Sequence, residues 1–542
     1  MSRPRNPSSI GPALASFTLT ALAIGVAWWW FGAPIKLPPS ALAAGQKLYC
    51  LSYAPFRGAQ NPLVEGTRVE PQQIDEDLAL LSKYTGCVRT YSVDDGGDDV
   101  LKSARRYGLK VLHGVWVSNN PEKTRRQIAT TIAYAKAYPD VITAVVVGNE
   151  VLLRGEMSAT NLIAIIREIK AQVSMPVTYA DVWEYWLRYP DVQNAVDFVT
   201  IHVLPYWEDF PIPASRAAAH LAAIRSQVAA AIPNKEIVIG EFGWPSAGRM
   251  REGARPSPSN QARAIIDAVA LAQRDNFRVN IIEAFDQPWK RALEGAVGGY
   301  WGIMDRATNA PKFSFDGSVS DHPHWLAQAL AGIFLTALAF AGALVAGRGK
   351  ELPAYVWGKI AVMTLLPAVL FGWTIEMVPI ESFSLGSWLR SLAFAATAAA
   401  APIVCAAACA AGRPAPTFAS FLGRTGERRD RFDWALGGTK VALLLVAVEA
   451  ALGLVFDPRY RDIPFAPLTA AAVPFLALLF FAPRPAGSRG MAETVAAAVL
   501  ALSAGYILFN EGFANWQSVW FCAGLAVLAV ILVRGRDAPS SE

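Results

Sequence analysis

Two observations predict an α/β chain of two parts. Between residues 45 and 320, eight short β-branched runs alternate with helical stretches, as a parallel sheet with crossover helices is written. Beyond residue 320 the chain breaks into apolar stretches of the roughly 20 residues needed to cross a hydrocarbon core. The predicted fold class is therefore a (β/α)8 TIM barrel followed by an all-α polytopic membrane domain. A 542-residue chain is too long for one core. The expected domains are 1–44, a tip, membrane anchor and linker; 45–320, the barrel; and 321–542, seven membrane helices.

The strands are expected at 47–52, 86–91, 110–117, 142–148, 176–180, 198–203, 236–240 and 279–284. Helical periodicity is read at 71–84, 121–137, 158–172, 214–231 and 259–275. Eight such units in about 250 residues are what a barrel of this kind requires. Its interior layers are filled by side chains, and its reactive groups sit at the C-terminal ends of the strands.

The apolar stretches fall at about 10–32, 325–346, 355–375, 388–411, 440–456, 465–482, 492–510 and 516–533. Lys and Arg number 49 and Asp and Glu 44, yet only 30 of these lie in the last 222 residues. Arginine and lysine gather in alternate loops: Arg3 and Arg5; Arg348 and Lys350; Arg413, Arg424, Arg428, Arg429 and Arg431; Arg484 and Arg489; Arg534 and Arg536. The loops at 376–387, 457–464 and 511–515 carry only Arg459 and Arg461. Positive residues stay cytoplasmic, so eight crossings are expected, with both termini inside and the barrel exported. The net charge of +5 is a topology signal and gives no argument for nucleic acid; the lipid bilayer is the expected partner of the arginine-rich loops. Ala41-Leu42-Ala43 resembles a signal-peptidase site, but the apolar run before it is longer than a signal peptide needs, which favours an uncleaved anchor.

Cys405, Cys409 and Cys522 fall in apolar spans as packing residues. Cys50 and Cys87 fall in the exported part and in expected parallel strands, a setting that seldom suits a disulfide, so two buried thiols are expected. No Cys/His spacing marks a metal site, His322-Pro323-His324 reads as a polar boundary, and no cofactor is expected. Gly295–Gly302 lacks the lysine and helix start of a phosphate loop. Glu449 lies inside an apolar span, either as a functional carboxylate or as an internally paired one.

Two runs carry the chemistry. Val147-Gly148-Asn149-Glu150 closes the fourth strand and Ile239-Gly240-Glu241-Phe242-Gly243-Trp244-Pro245-Ser246 the seventh, with the glutamates 91 positions apart. Paired carboxylates on one rim are what breaking a glycosidic bond requires, one to protonate the leaving oxygen and one to attack or to stabilise the oxocarbenium-like transition state. Other strand ends add Tyr53, Arg89, Tyr91, Asp94, Trp116, Asp181, Trp183, His202, Tyr206, Trp207, Glu283, Asp286, Trp289 and Lys290. A trough of aromatics and hydrogen-bonding side chains suits an oligosaccharide. About half of the tryptophans among 116, 183, 207, 244, 289 and 301 are expected beneath the trough as packing.

The two glutamate motifs resemble those of glycoside hydrolase family 17, the β-1,3-glucanases and glucanosyltransferases of clan A, and Glu283–Lys290 resembles the eighth-strand motif of that family. The resemblance covers residues 45–315. It implies Glu150 as acid/base, Glu241 as nucleophile, Asn149 as donor to the sugar 2-hydroxyl, and sugar contacts from the strand-end residues above and Trp244. Gln287 departs from it, standing where many members have glutamate. Anchors on both sides of the barrel further resemble the rhizobial β-(1,6)-glucan synthase-type proteins of cyclic β-(1,3),(1,6)-glucan synthesis. The implied activity is retaining glucanosyl transfer from β-1,3-glucan to form β-1,6 linkages, with endo-β-1,3-glucan hydrolysis as the alternative. A third reading is a glucan-binding or export accessory of a separate membrane β-glucan synthase. No D-x-D with Q-x-x-R-W pattern marks a nucleotide-sugar polymerase.

Overall fold

The computed structural model describes residues 10–417, 421, 430–482 and 491–533. Two compact units are formed, one of Ile35–Ala247 with Gly253–Val319, the other of Met1–Pro34, Gly248–Glu252 and Ser320–Glu542. The chain opens on helix α1 (Ile10–Phe31) and a two-residue strand, β1 (Ile35–Lys36). There follow β2 (Cys50–Ser52), α2 (Pro71–Leu81), β3 (Cys87–Arg89), α3 (Gly97–Tyr107), β4 (Lys110–Val115), α4 (Pro121–Ala137), β5 (Ile142–Asn149), α5 (Ala159–Lys170), β6 (Val177–Val182) and α6 (Trp183–Arg188). Then come β7 (Val199–His202), α7 (Ala217–Ala231), β8 (Ile237–Phe242), α8 (Pro258–Arg274), β9 (Val279–Ile281), one turn of helix α9 (Arg291–Glu294) and β10 (Ser318–Val319), which pairs antiparallel with β1.

Strands β2 to β9 close into a barrel in sequence order, each parallel to its neighbours. All eight expected strands are present, so the fold class is that read from the sequence. The helices start where their caps lie. Asn120 accepts from the amides of Glu122 and Lys123 ahead of α4, and Ser158 and Ser257 each accept from the amide three residues on. Pro121 and Pro258 stand at the first helical position, where no amide donor is needed. Helix α3 was not among the expected ones. It starts on Gly96-Gly97, a breaker pair, and its apolar side is only Val100, Leu101 and Ala104.

Alternate strand residues face the barrel axis. On this inner face Cys50, Cys87, Leu112, Ala144, Val146, Ala180, Phe198 and Val238 form one apolar cluster. The other face packs Val145, Val147, Ile201, Ile239 and Ile281 against the helices. Within the inner layer Cys50 and Cys87 form a disulfide, Cα atoms 4.3 Å apart. This corrects the expectation of two free thiols. The register places Leu51 opposite Val88, so the two cysteines, one residue earlier on each strand, face each other directly and on the same side.

The second unit contains α10 (Trp325–Ala346), α11 (Ala354–Glu381), α12 (Leu385–Ala411), α13 (Arg431–Phe456), α14 (Phe465–Phe481), α15 (Met491–Glu511) and α16 (Trp516–Val533). With α1, seven of these helices are long and apolar enough to cross a membrane, and α14, at 17 residues, is a shorter apolar one. Arg3, Arg5, Arg424, Arg428, Arg429, Arg484, Arg489, Arg534 and Arg536 lie outside the described residues. Glu449 is ion-paired with Arg461 at 2.9 Å. Helix α13 begins nine residues before the expected span, which brings Glu449 toward its end, within reach of the following loop.

Candidate active site

Each glutamate sits at a break in strand pairing, Glu150 just after one and Glu241 within one. On β5 the register with β6 shifts between Val146 and Asn149; on β8 the register with β9 shifts between Ile239 and Phe242. A strand with unbroken alternation would put Gly240 and Phe242 on one face and Glu241 on the other. The irregularity leaves Ile239 and Phe242 in the outer core and turns Glu241 to the axis. Gly240 permits this, because a Cβ there would lie 2.4 Å from Thr200 Cγ2. On β5, Gly148 has φ +87° and Glu150 has φ +54°, so the chain leaves the strand through a left-handed turn.

Arg89, side chain 1% exposed, is the hub. Its Nη1 donates to Glu241 Oε1 at 3.1 Å and to the Gly240 carbonyl at 2.7 Å, and its Nη2 donates to Asn149 Oδ1 at 2.6 Å. The Tyr91 hydroxyl lies 2.8 Å from both Ser52 Oγ and Glu241 Oε1. It has one proton, which the carboxylate, having none to give, accepts. Burial, and then the Glu241 charge, push the Tyr91 phenol well above its ordinary value, so it stays a donor.

His202 Nδ1 lies 2.7 Å from Glu150 Oε1 and 3.6 Å from Glu241 Oε2, bridging the two acids. Ligand atoms of Glu150, His202 and Glu241 all lie within 4.8 Å of one another. A cation could be held by such a set, but the Arg89 guanidinium already stands among them, 3.2 Å from His202 Nε2. Burial raises the Glu150 carboxyl, but the His202 hydrogen bond and charge, with Arg89 and Arg154, outweigh it and hold it below the usual range.

Lys290 Nζ grips both oxygens of buried Glu283, at 3.0 and 3.1 Å. Burial pushes Glu283 up to about 7, against the pull of Lys290. Trp116, Trp183, Trp289 and Tyr91 are half-buried, with the Arg154 guanidinium 4.3 Å over the Trp116 ring. Asp94 is exposed and paired with Arg126.

Five residues expected at the sugar are occupied elsewhere. Tyr53 is fully buried with its hydroxyl on Asp77, a carboxylate also gripped by Arg306. Trp244 is buried and donates to the Arg255 carbonyl. Tyr206 is enclosed by the rings of Trp207, Trp244 and Trp301. Asp286 pairs with Lys312 and accepts from the Gly302 amide, and Asp181 is buried against Tyr179. Each lies at a strand end, but side-chain direction and partner decide contact, and strand-end position fixes neither. Gln287 is also buried, spent on the Ala54 carbonyl and the Trp289 indole.

Two participants escaped the sequence reading. Arg154 donates twice to the Asn149 carbonyl, at 3.2 and 3.0 Å. Glu294, raised by burial, acts electrostatically with Lys290, Glu150 and Glu241. Its spacing of four from Lys290 was the available signal.

Residues 50–302 match the model of the BtgE/BtgC glycoside hydrolase domain. The barrel is thus that of a glycoside hydrolase-type enzyme. The "Glucan 1,3-beta-glucosidase" of Arthroderma benhamiae is 27% identical over 305 residues, 52% of this chain and 94% of that protein. The "Probable glucan endo-1,3-beta-glucosidase btgC" of Aspergillus fumigatus is 28% identical over 48% of this chain, which spans only 42% of that protein's length. A solved structure, the glycoside hydrolase family 17 β-1,3-glucanosyltransferase from Rhizomucor miehei, is 23% identical with a TM-score of 0.45, covering 50% of this chain and 99% of its own.

Proposed function

We propose that this glycoside hydrolase-type enzyme is a membrane-anchored, retaining glucanosyltransferase acting on β-1,3-glucan. The observation that carries the reading is the approach of Glu150 and Glu241 oxygens to within 4.8 Å. Retaining pairs stand about 5 Å apart, whereas inverting pairs leave room for a water at about 6.5–9.5 Å. The β-1,3-glucan substrate is supported by the names of the relatives.

Glu241, with Arg89 and Tyr91 fixing its oxygens, attacks the anomeric carbon. The bond to the leaving glucan breaks as Glu150 gives its oxygen a proton. Glu150 Oε1 lies 2.7 Å from His202 Nδ1, a contact that orients the carboxyl as it gives and takes up that proton. As sugar displaces water, the ionised carboxylate loses solvation and the protonated form of Glu150 gains. An acceptor hydroxyl then loses its proton to Glu150 and displaces Glu241. A sugar acceptor gives transfer and water gives hydrolysis.

Transfer forming β-1,6 linkages in periplasmic, including cyclic, β-glucan is the reading we adopt. A barrel flanked by apolar helices suits a polymer processed where it is exported, with a separate membrane β-glucan synthase as the supplying partner. The Cys50–Cys87 disulfide supports placement on the oxidising side of a bacterial inner membrane, in the periplasm. Endo-hydrolysis is the second reading, favoured by the btgC relative's name.

The test incubates the purified full chain with laminari-oligosaccharides and follows the new anomeric centre by proton NMR, product length by mass spectrometry and linkage by methylation analysis. Products of β configuration, longer than the donor and carrying β-1,6 branches, are expected. Inverted products would end the retaining mechanism; shortened products alone would make the enzyme a hydrolase.

A further inference from the structure

The left-handed turn that carries Glu150 is not held by its own strand. At Glu150, φ +54° is a conformation that L side chains avoid, and it persists where surrounding contacts fix it. Arg154 supplies some of those contacts, on the Asn149 carbonyl, and the neighbouring strand β6 supplies the others. Its Ala180 carbonyl accepts from the Glu150 amide at 2.8 Å. The Tyr179 hydroxyl accepts from the Leu152 amide at 3.0 Å and donates to Asp181 Oδ2. Asp181 Oδ2 also faces the Leu153 amide at 3.4 Å, while Oδ1 accepts from the Val182 amide at 2.8 Å.

Both residues are enclosed, Tyr179 at 1% and Asp181 at 0% exposure. The Tyr179 ring packs 5.6 Å from Trp186, whose indole is tied to the Thr200 carbonyl. It also lies close to the turn, since a Cβ on Gly148 would stand 3.5 Å from it. If Tyr179 served only to fill this space, a phenylalanine would do. Its hydroxyl is instead committed to the turn and to Asp181.

We propose that Tyr179 and Asp181 are positioning residues for proton transfer: a phenol–carboxyl clamp on β6 that holds the Leu152 and Leu153 amides and thereby aims the Glu150 side chain at the glycosidic oxygen. This rests on Glu150 being the acid/base. The clamp acts on one carboxyl of the pair. Glu241 is held separately by Arg89 and Tyr91.

The two halves of the chemistry separate by leaving group. A laminari-oligosaccharide leaves as an alkoxide and needs the acid; a 2,4-dinitrophenyl β-laminaribioside leaves as a stable phenolate and does not. Full-length Tyr179→Phe and Asp181→Asn are compared with wild type on both substrates, with kcat/KM as the glycosylation readout and thermal melting as the check on folding. Turnover of the oligosaccharide is expected to fall about 10- to 100-fold, and kcat/KM on the aryl glycoside to stay within about twofold. Equal losses on both substrates, or none on either, in a folded variant overturn the clamp. Asp181→Asn decides if Tyr179→Phe does not fold. Glu150→Gln run alongside must show the same split; if it does not, the acid assignment falls and the clamp with it. If it does and the clamp variants do not, the clamp alone fails.

Discussion

At Arg89 one side chain organises four groups: the Glu241 carboxylate, the Gly240 carbonyl, Asn149 and His202. Lysine cannot reproduce this, because an ammonium lacks the planar fork that reaches two strands at once. Arg89→Lys is expected to lower kcat by about 100-fold or more, with KM changed far less, since the lost contacts orient the reacting carboxylate. Steady-state kinetics on laminari-oligosaccharides check this, and an unchanged kcat would remove Arg89 from the site. The residue scale is also where the sequence is least legible. Glu150, Asn149 and Glu241 could be placed because motif and strand end coincide. Asp286 and Tyr53 could not, because their partners, Lys312 and Asp77, lie 26 and 24 residues away and nothing local marks them.

Between strands and helices the sequence says more, since a strand buried on both faces is written as a nearly continuous apolar run. Helices α3, α6 and α9, the β1–β10 pair and the disulfide were among the exceptions, and the last makes a prediction. The Cys50–Cys87 bond joins β2 to β3 across 37 residues of sequence. Closing a loop of that length in the unfolded chain is worth about 2–4 kcal/mol. The double variant Cys50→Ala, Cys87→Ala is expected to lower the barrel's unfolding free energy by that amount. Denaturant titration under oxidising and reducing conditions checks it, with reduction of wild type expected to match the variant.

A second prediction concerns His113, buried between β4 and α4 beside Thr131 and the Tyr134 ring. Burial lowers its pKa from 6.5 to about 4. The unfolded chain therefore binds a proton below pH 6.5 that the folded chain refuses until about pH 4. The stabilisation is complete above 6.5 and is lost as pH falls through that window, by at most roughly 3 kcal/mol. Buried Glu283 and Asp286, raised to about 7 and 6, act in the opposite sense: their contribution is present at acid pH and is lost as pH rises. The difference between wild type and His113→Gln isolates the histidine. That difference should fall by at most roughly 3 kcal/mol as pH drops from 6.5 to 4, and a difference that does not change with pH would assign the slope to another group.

Across the whole molecule, the charge asymmetry that divides the chain into two materials also predicts its topology, and α14 is the point on which that topology turns. Its 17 residues reach about 25 Å, short of a core of about 30 Å. Yet α14 is enclosed along most of its length, from Phe465 to Leu478, and Trp520 of α16 donates to its Thr469. A helix shielded by its neighbours does not have to match the lipid, because protein covers the short end. We therefore expect α14 to cross. Alkaline phosphatase fused after residues 384, 460 or 514 should then be active, and fused after 350, 487 or 538 inactive. If α14 fails to cross, the first four of these positions in chain order, 350, 384, 460 and then 487, part company at the last: fusion at 487 becomes active, fusion at 514 falls silent and fusion at 538 becomes active. The reversal is confined to positions C-terminal to α14, so the same set of fusions separates an error about one helix from an error about the export of the barrel, which would silence 384 and 460 as well.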